Sequence, residues 1–144
     1  MRLLKIDKRD RLFSKLIRHR AGWKCQHCLL YFPEDMRQGL HCSHFISRKY
    51  KQTKWHPDNA ASHCAKCHAI LQDHPGDMRD FFFEYLGEER YDAVRLLSVS
   101  KDKIIKPELE EIYDHLTAEW ERVKDLEEPE FTAWERVSDL QNPD

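Results

Sequence analysis

The sequence has no run of about 18 apolar residues, the length a membrane-spanning helix requires, so no membrane role is expected. Its opening stretch, Met1 to Asp10, also lacks the apolar segment of a secretory signal. The expected location is therefore the cytoplasm, where thiols stay reduced. An even cysteine count is missing as well. Five cysteines leave one unpaired in any disulfide scheme, which points to metal binding before disulfides. Finally, the chain has almost no net charge, −2 over 144 residues, but that balance hides an asymmetry. Residues 1–55 hold 14 Lys/Arg against 4 Asp/Glu, and residues 56–144 hold 10 against 22. A front half at +10 suits a polyanionic partner, and a rear half at −12 does not.

What is present reads mostly as helix. Residues 7–21 place Leu12, Phe13, Leu16 and Ile17 on one stripe, with Arg9, Arg11, Lys15, Arg18 and Arg20 around it and Gly22 as a stop. Residues 40–46 read as a short strand with Leu40 and Cys42 on its packed side. The stretch from Ser47 to Asp58 is basic and irregular. A helix is expected from about Cys64 to Leu71, interrupted at Pro75-Gly76, and another from about Asp77 to Leu86 closed by Gly87. Residues 88–98 form a further short helix with Tyr91, Val94 and Leu97 on one side. Pro107 suits the first position of a long helix, with Glu108, Glu110 and Glu111 at the favourable end of the dipole. Ile112, Leu116, Trp120 and Val123 are its expected buried stripe. Trp120-Glu-Arg-Val-Lys-Asp-Leu126 recurs 14 residues later as Trp134-Glu-Arg-Val-Ser-Asp-Leu140, as a docking helix or a loosely held tail. Two copies are too few for a solenoid.

The strongest chemical signal is Cys25-x-x-Cys28 with Cys64-x-x-Cys67. Four thiolates at two knuckles satisfy tetrahedral Zn²⁺ as a structural ion. The gap of 35 residues between Cys28 and Cys64 exceeds a ribbon's spacing, so something is inserted between the knuckles. The insertion carries His41, Ser43 and His44 on the strand and Asn59 in a loop, and His68 follows the last cysteine. A hairpin bearing one histidine against a helix bearing another can hold one divalent cation beside a water molecule. Cys42 reads as a small buried apolar residue, with a reserve zinc ligand as the alternative. His19, His27, His56, His74 and His115 read as structural. Arg48, Lys49, Lys51 and Lys54, interleaved with Tyr50 and Trp55, can grip phosphates and stack on exposed bases, and Arg18 extends that track.

These residues resemble the His-Asn-His endonucleases with a ββα-metal core, in the version clamped by four cysteines, and within them the NinG/Rap recombination nucleases of lambdoid phages. The resemblance rests on Cys25/Cys28, Ser43-His44-Phe45, Asn59, Cys64/Cys67 and the stretch ending Tyr85-Leu86-Gly87, over about residues 20–90. It implies an α+β, mostly helical fold: a small ββα-metal core clamped by zinc, flanked by an N-terminal helix and C-terminal helices. The expected division is a basic core over residues 1–90 and an acidic helical extension over 91–144. The implied activity is metal-dependent hydrolysis of phosphodiester bonds in branched DNA such as Holliday junctions and D-loops, leaving 5′-phosphate ends. His44 would be the general base, Asn59 would hold the hairpin and orient His44, and His68 would ligate the catalytic Mg²⁺ or Mn²⁺.

One departure stands out: many relatives of this kind place Asp before the base histidine, where this chain has Ser43. His41 or His63 would then supply the second ligand, and histidines favour Mn²⁺, Ni²⁺ or Zn²⁺ over Mg²⁺. Two other readings belong to different classes. One is a non-catalytic zinc-stabilised nucleic-acid-binding module, and the other an adaptor whose acidic C-terminal half docks a recombination protein. A homodimer follows only by analogy with the two-fold character of junctions.

Overall fold

The computed structural model describes residues 6–34 and 39–136. Helix α1 (Lys8–Arg20) starts at Asp7, whose carboxylate accepts from Arg9 N at 2.9 Å and Asp10 N at 3.1 Å. Asp10 returns the bond to Asp7 N at 2.9 Å, so two orphan donors of the first turn are satisfied reciprocally. The chain leaves α1 through Gly22, whose φ of +65° belongs to the left-handed region that glycine adopts without strain. Strand β1 (Leu40–His44) follows the first knuckle. A four-residue helix α2 (Lys51–Lys54) and a 3₁₀ turn (Pro57–Asn59) then lead into strand β2 (Ala60–Cys64). Arg20 of α1 secures that turn, donating to Pro57 O at 3.0 Å and Ala60 O at 2.9 Å.

Helix α3 (Ala65–Asp73) emerges directly from β2, and α4 (Pro75–Leu86), α5 (Glu88–Ser98) and α6 (Lys106–Val123) follow. The architecture is α+β and mostly helical. Pro75 does not delay α4; it opens it, because its missing N–H is an orphan at that position anyway. Gly87, at φ +81°, is the single residue between α4 and α5. Pro107 is the second residue of α6, one place later than the sequence suggested.

The two strands pair antiparallel, with His41 opposite His63 and His44 opposite Ala60. Side chains alternate between the faces of this ribbon. On one face Ala60 joins a core with Phe13, Leu16 and Ile17 of α1 and Ile112, Leu116 and Val123 of α6. On the other Ala61 joins Leu71 of α3, Met78, Phe82 and Leu86 of α4, and Tyr91 and Val94 of α5. A two-stranded ribbon is marginal alone, and here helices cover both of its sides. The division expected at residue 90 falls inside α5, and α6 shares its core with α1.

The second Trp-Glu-Arg copy is not helical where it is described. Phe131 is buried, Trp134 packs on the α1–α6 core, and the backbone of 130–132 is bonded to α6. Thr132 N donates to Glu119 at 2.6 Å, His115 bonds Thr132 O at 2.7 Å, and Arg122 donates to Glu130 O at 3.1 Å. Arg136 is ion-paired to Glu108 and also donates to Lys103 O at 3.0 Å. Residues 129–136 thus form a strap over α6; Leu140 of the repeat lies outside the described residues.

Phe13 is 1% exposed and its ring meets both Phe131 and His44 at centroid distances of 5.7 Å. Phe13→Ala is expected to cost about 3–5 kcal/mol, measured by urea unfolding. A loss below about 1 kcal/mol would show that α1, the strap and β1 do not share one core.

Candidate metal centre and active site

The four Sγ atoms of Cys25, Cys28, Cys64 and Cys67 all lie within 4.8 Å of one another, with Cys28 and Cys64 at 3.9 Å. A tetrahedron of Zn–S bonds of about 2.3 Å has S–S edges near ~3.8 Å, so the cluster can hold a metal ion such as zinc. Each knuckle turns a backbone amide onto its first sulfur, Cys28 N on Cys25 Sγ at 3.4 Å and Cys67 N on Cys64 Sγ at 3.5 Å. Cys64 is also the N-cap of α3, so the second knuckle and the first turn of that helix are one piece of structure. The first knuckle is tied to β2 by Gln26, which donates to Ser62 O at 2.7 Å and accepts from Ser62 N at 2.8 Å.

His27 belongs with this cluster. Its Nδ1 lies 3.3 Å from Cys67 Sγ, within reach to donate to a thiolate and spread its charge. Sequence pattern alone marks it as structural, although its place between Cys25 and Cys28 is a usable signal. Cys42 stands apart from the four sulfurs and packs toward the α1–α6 core. Burial pushes its thiol up to about 12, so it stays protonated and unreactive.

His41 and His68 meet across the β1–α3 junction, with their Nδ1 atoms 2.9 Å apart and their rings nearly perpendicular at 82°. Two nitrogens each about 2.1 Å from one ion at right angles lie about 3 Å apart, so this pair has the spacing of two ligands of one cation. Burial, and then the nearby His41, lower the affinity of His68 for a proton, which favours the neutral ring that a metal ligand needs. His63 shares the face with them but turns toward α4, 4.6 Å from the Phe81 ring, and both its ring nitrogens are buried without a hydrogen-bond partner. Among the described residues the four cysteines are the only group of three or more metal-ligating side chains. Any ion on His41 and His68 would therefore fill its remaining positions with water or phosphate oxygen.

His44 sits on the opposite face of the ribbon. Its ring lies against Phe13 of α1, and Nε2 is 3.1 Å from Lys54 O, a carbonyl that can only accept. The proton is therefore on Nε2 and the Nδ1 lone pair is free. Burial lowers the histidine from its ordinary 6.5 to about 4, so the ring is neutral at physiological pH. Ser43, the residue in the place of the expected aspartate, is buried with its hydroxyl toward Met78 at 3.9 Å. The structure thus brings His41 to His68 and sets His44 apart, because positions 41 and 44 on a strand have opposite parity.

Asn59 is fully buried and acts on backbone. Its Oδ1 accepts from Ile46 N at 2.7 Å, and its Nδ2 donates to Ile46 O at 3.0 Å and Thr53 O at 3.1 Å. It pins α2, which carries Lys54, and through the Lys54 carbonyl that helix holds His44.

The basic run divides. Lys49, Tyr50 and Lys51 face solvent, and Arg48 is half-buried. Lys54 is turned onto Asp10 at 3.5 Å, and Trp55 is buried with Nε1 donating to the same carboxylate at 3.0 Å. Neither is free to meet phosphate or base. Arg18 is stacked over Trp23 at 5.5 Å. No known protein family, characterised protein or solved structure matches the chain.

Cys64→Ser is expected to abolish stoichiometric zinc binding, read by metal analysis of the purified protein; an unchanged zinc content would remove Cys64 from the centre. For His44, the folded value near 4 lies below the ordinary 6.5. Between them the unfolded chain takes up a proton that the folded chain does not, so stability falls as pH drops from 6.5 toward 4. An NMR titration of the His44 ring placing its midpoint near 6.5 would refute the buried neutral state.

Proposed function

We propose that this protein is a metal-dependent endonuclease that hydrolyses phosphodiester bonds in DNA, built on a zinc-clamped His-Asn-His core like that of the NinG/Rap nucleases. The observation that carries the reading is the contact of His41 with His68. One imidazole comes from a strand and one from the first turn of the following helix, at ligand spacing, inside a strand–strand–helix unit closed by four thiols. In this reading His44 accepts a proton from the attacking water at Nδ1, for which a neutral ring with a fixed tautomer is suited. Asn59 keeps the Lys54 carbonyl on Nε2 and so holds that tautomer in place. His68 and His41 hold a divalent cation, Mg²⁺ or Mn²⁺. Such an ion supplies charge neutralisation for the phosphorane-like transition state and the leaving 3′-oxygen. Among the described residues the sheet has two strands, so β1 is an edge strand. A phosphate seated on its free edge is the position that side chains from both faces can address. Branched recombination intermediates are the substrate the family likeness favours.

A second reading draws on a specific observation. His44 and the His41–His68 pair occupy opposite faces, and Ser43 offers no carboxylate between them. That geometry favours a zinc-stabilised module that binds DNA without cutting it.

Supercoiled plasmid and four-way-junction DNA incubated with Mn²⁺ or Mg²⁺ separate the two. Cleavage by the wild type is expected, with His44→Ala slower by about 100-fold or more, the usual contribution of a general base. His68→Ala is expected to raise the metal concentration needed. Full activity in His44→Ala would strike out the base, and a wild type that binds but never cleaves with either metal would leave the binding module.

A further inference from the structure

Beside the C-terminal end of α5 two concavities meet. One, of about 800 Å³, is lined by Phe45, Ile46, Tyr91 and Leu96, with Arg79 and Arg95 at its rim and a single carboxylate, Asp92. The other, of about 480 Å³, is lined by Lys49, Tyr50, Lys51 and Lys103. Ser98 and Val99 belong to both, so the two form one continuous groove. It bears five cations against one carboxylate. Three of those cations, Arg79, Arg95 and Lys103, come from the half of the chain whose net charge is −12. Among the described residues none of the five forms an ion pair, whereas Lys54 and Arg90 close by are paired to Asp10 and Asp58. Part of the lining is apolar and open to solvent: Leu96 is 70% exposed and Val99 73%.

We propose that this groove receives an unpaired stretch of DNA strand leading to the end of β1. Unpaired cations along a groove answer a regular line of phosphates. Exposed apolar lining adds nothing for a duplex, whose bases are already paired and stacked, whereas the half-exposed ring of Tyr50 offers an unpaired base a face to stack on. Phe45 follows His44 directly, so a strand lying in the first concavity reaches the end of β1, from whose other face His44 projects. The inference rests on the nuclease reading for taking the polyanion to be DNA, and it deepens that reading by naming the part of the substrate that is single-stranded.

The test is binding rather than cleavage. Fluorescein-labelled oligothymidine is titrated with the zinc-loaded full-length protein, without added Mg²⁺ or Mn²⁺, and followed by anisotropy across a salt series. Arg79→Glu with Arg95→Glu is expected to weaken binding about tenfold or more and to flatten the salt slope by about 0.7 per lost contact. Val99→Glu is expected to weaken it too, while Lys124→Glu, an exposed change just after α6 that lines neither concavity, leaves it unaltered. All of these positions are exposed, and circular dichroism with zinc content shows that the variants fold. Groove variants that bind oligothymidine like the wild type would overturn the proposal. So would a duplex of equal length that binds as tightly and loses as much, or polyglutamate that displaces the oligomer at equal charge. Cleavage assayed separately keeps the two readings apart: groove-dependent binding without any cleavage removes the nuclease alone, and cleavage with groove-independent binding removes the groove alone.

Discussion

Four sulfurs converge on one point, and the rest of the functional region is hung from that convergence. Two knuckles separated by 35 residues can close on a common centre only if the chain between them returns to its starting place. The return is made by β1 and β2, which pair along their whole length and end at Cys64, already a member of the cluster. A ribbon of two strands does not hold itself together, and a cluster of this kind does not form in a chain free to roam. Each therefore supplies the order the other lacks, and the two hydrogen bonds between Gln26 and Ser62 link them.

The ribbon then sorts the histidines. With helices on both sides, its alternation becomes a division into two environments. His41 and His63 go to the side of α3 and α4, and His44 goes to the side of α1. The first side gives a pair of imidazoles at ligand distance and one imidazole sealed without partners. The second gives an imidazole whose proton is held by a carbonyl and whose charge is suppressed by burial. Asn59 links the sides, because the loop it pins runs from one to the other. The same sorting applies to the cations. Lys54 is drawn in by Asp10, and the exposed ones line the groove beside α5.

Much of this was legible in the chain. The apolar stripe of residues 12–17, the strand at Leu40, the matched cysteine spacings and the helices ending at Gly87 all follow from local periodicity and local turn chemistry, which fold and sequence share. The separation of His41 from His44 was also written there, since three residues along a strand reverses the face, but a list of histidines near a motif does not apply that parity. The burial of Trp55 and the pairing of Lys54 were not legible. Both depend on Asp10, a residue on a helix 44 positions away from Lys54 in sequence. Nor was the strap of residues 129–136, whose Trp-Glu-Arg repeat imitates a helix and whose backbone instead bonds to side chains of α6.

By itself, then, the sequence determined where the longer helices lie, that the chain extends at Leu40, and that four thiols stand ready for one soft metal, because those properties depend on neighbours within a few residues. The second strand, Ala60–Cys64, formed only with β1 beside it. The tertiary structure decided which imidazoles meet, which cations are drawn into ion pairs, and where the described part of the C-terminal segment lies. Those outcomes are set by burial and by contacts between residues far apart in the chain, and no local pattern carries them.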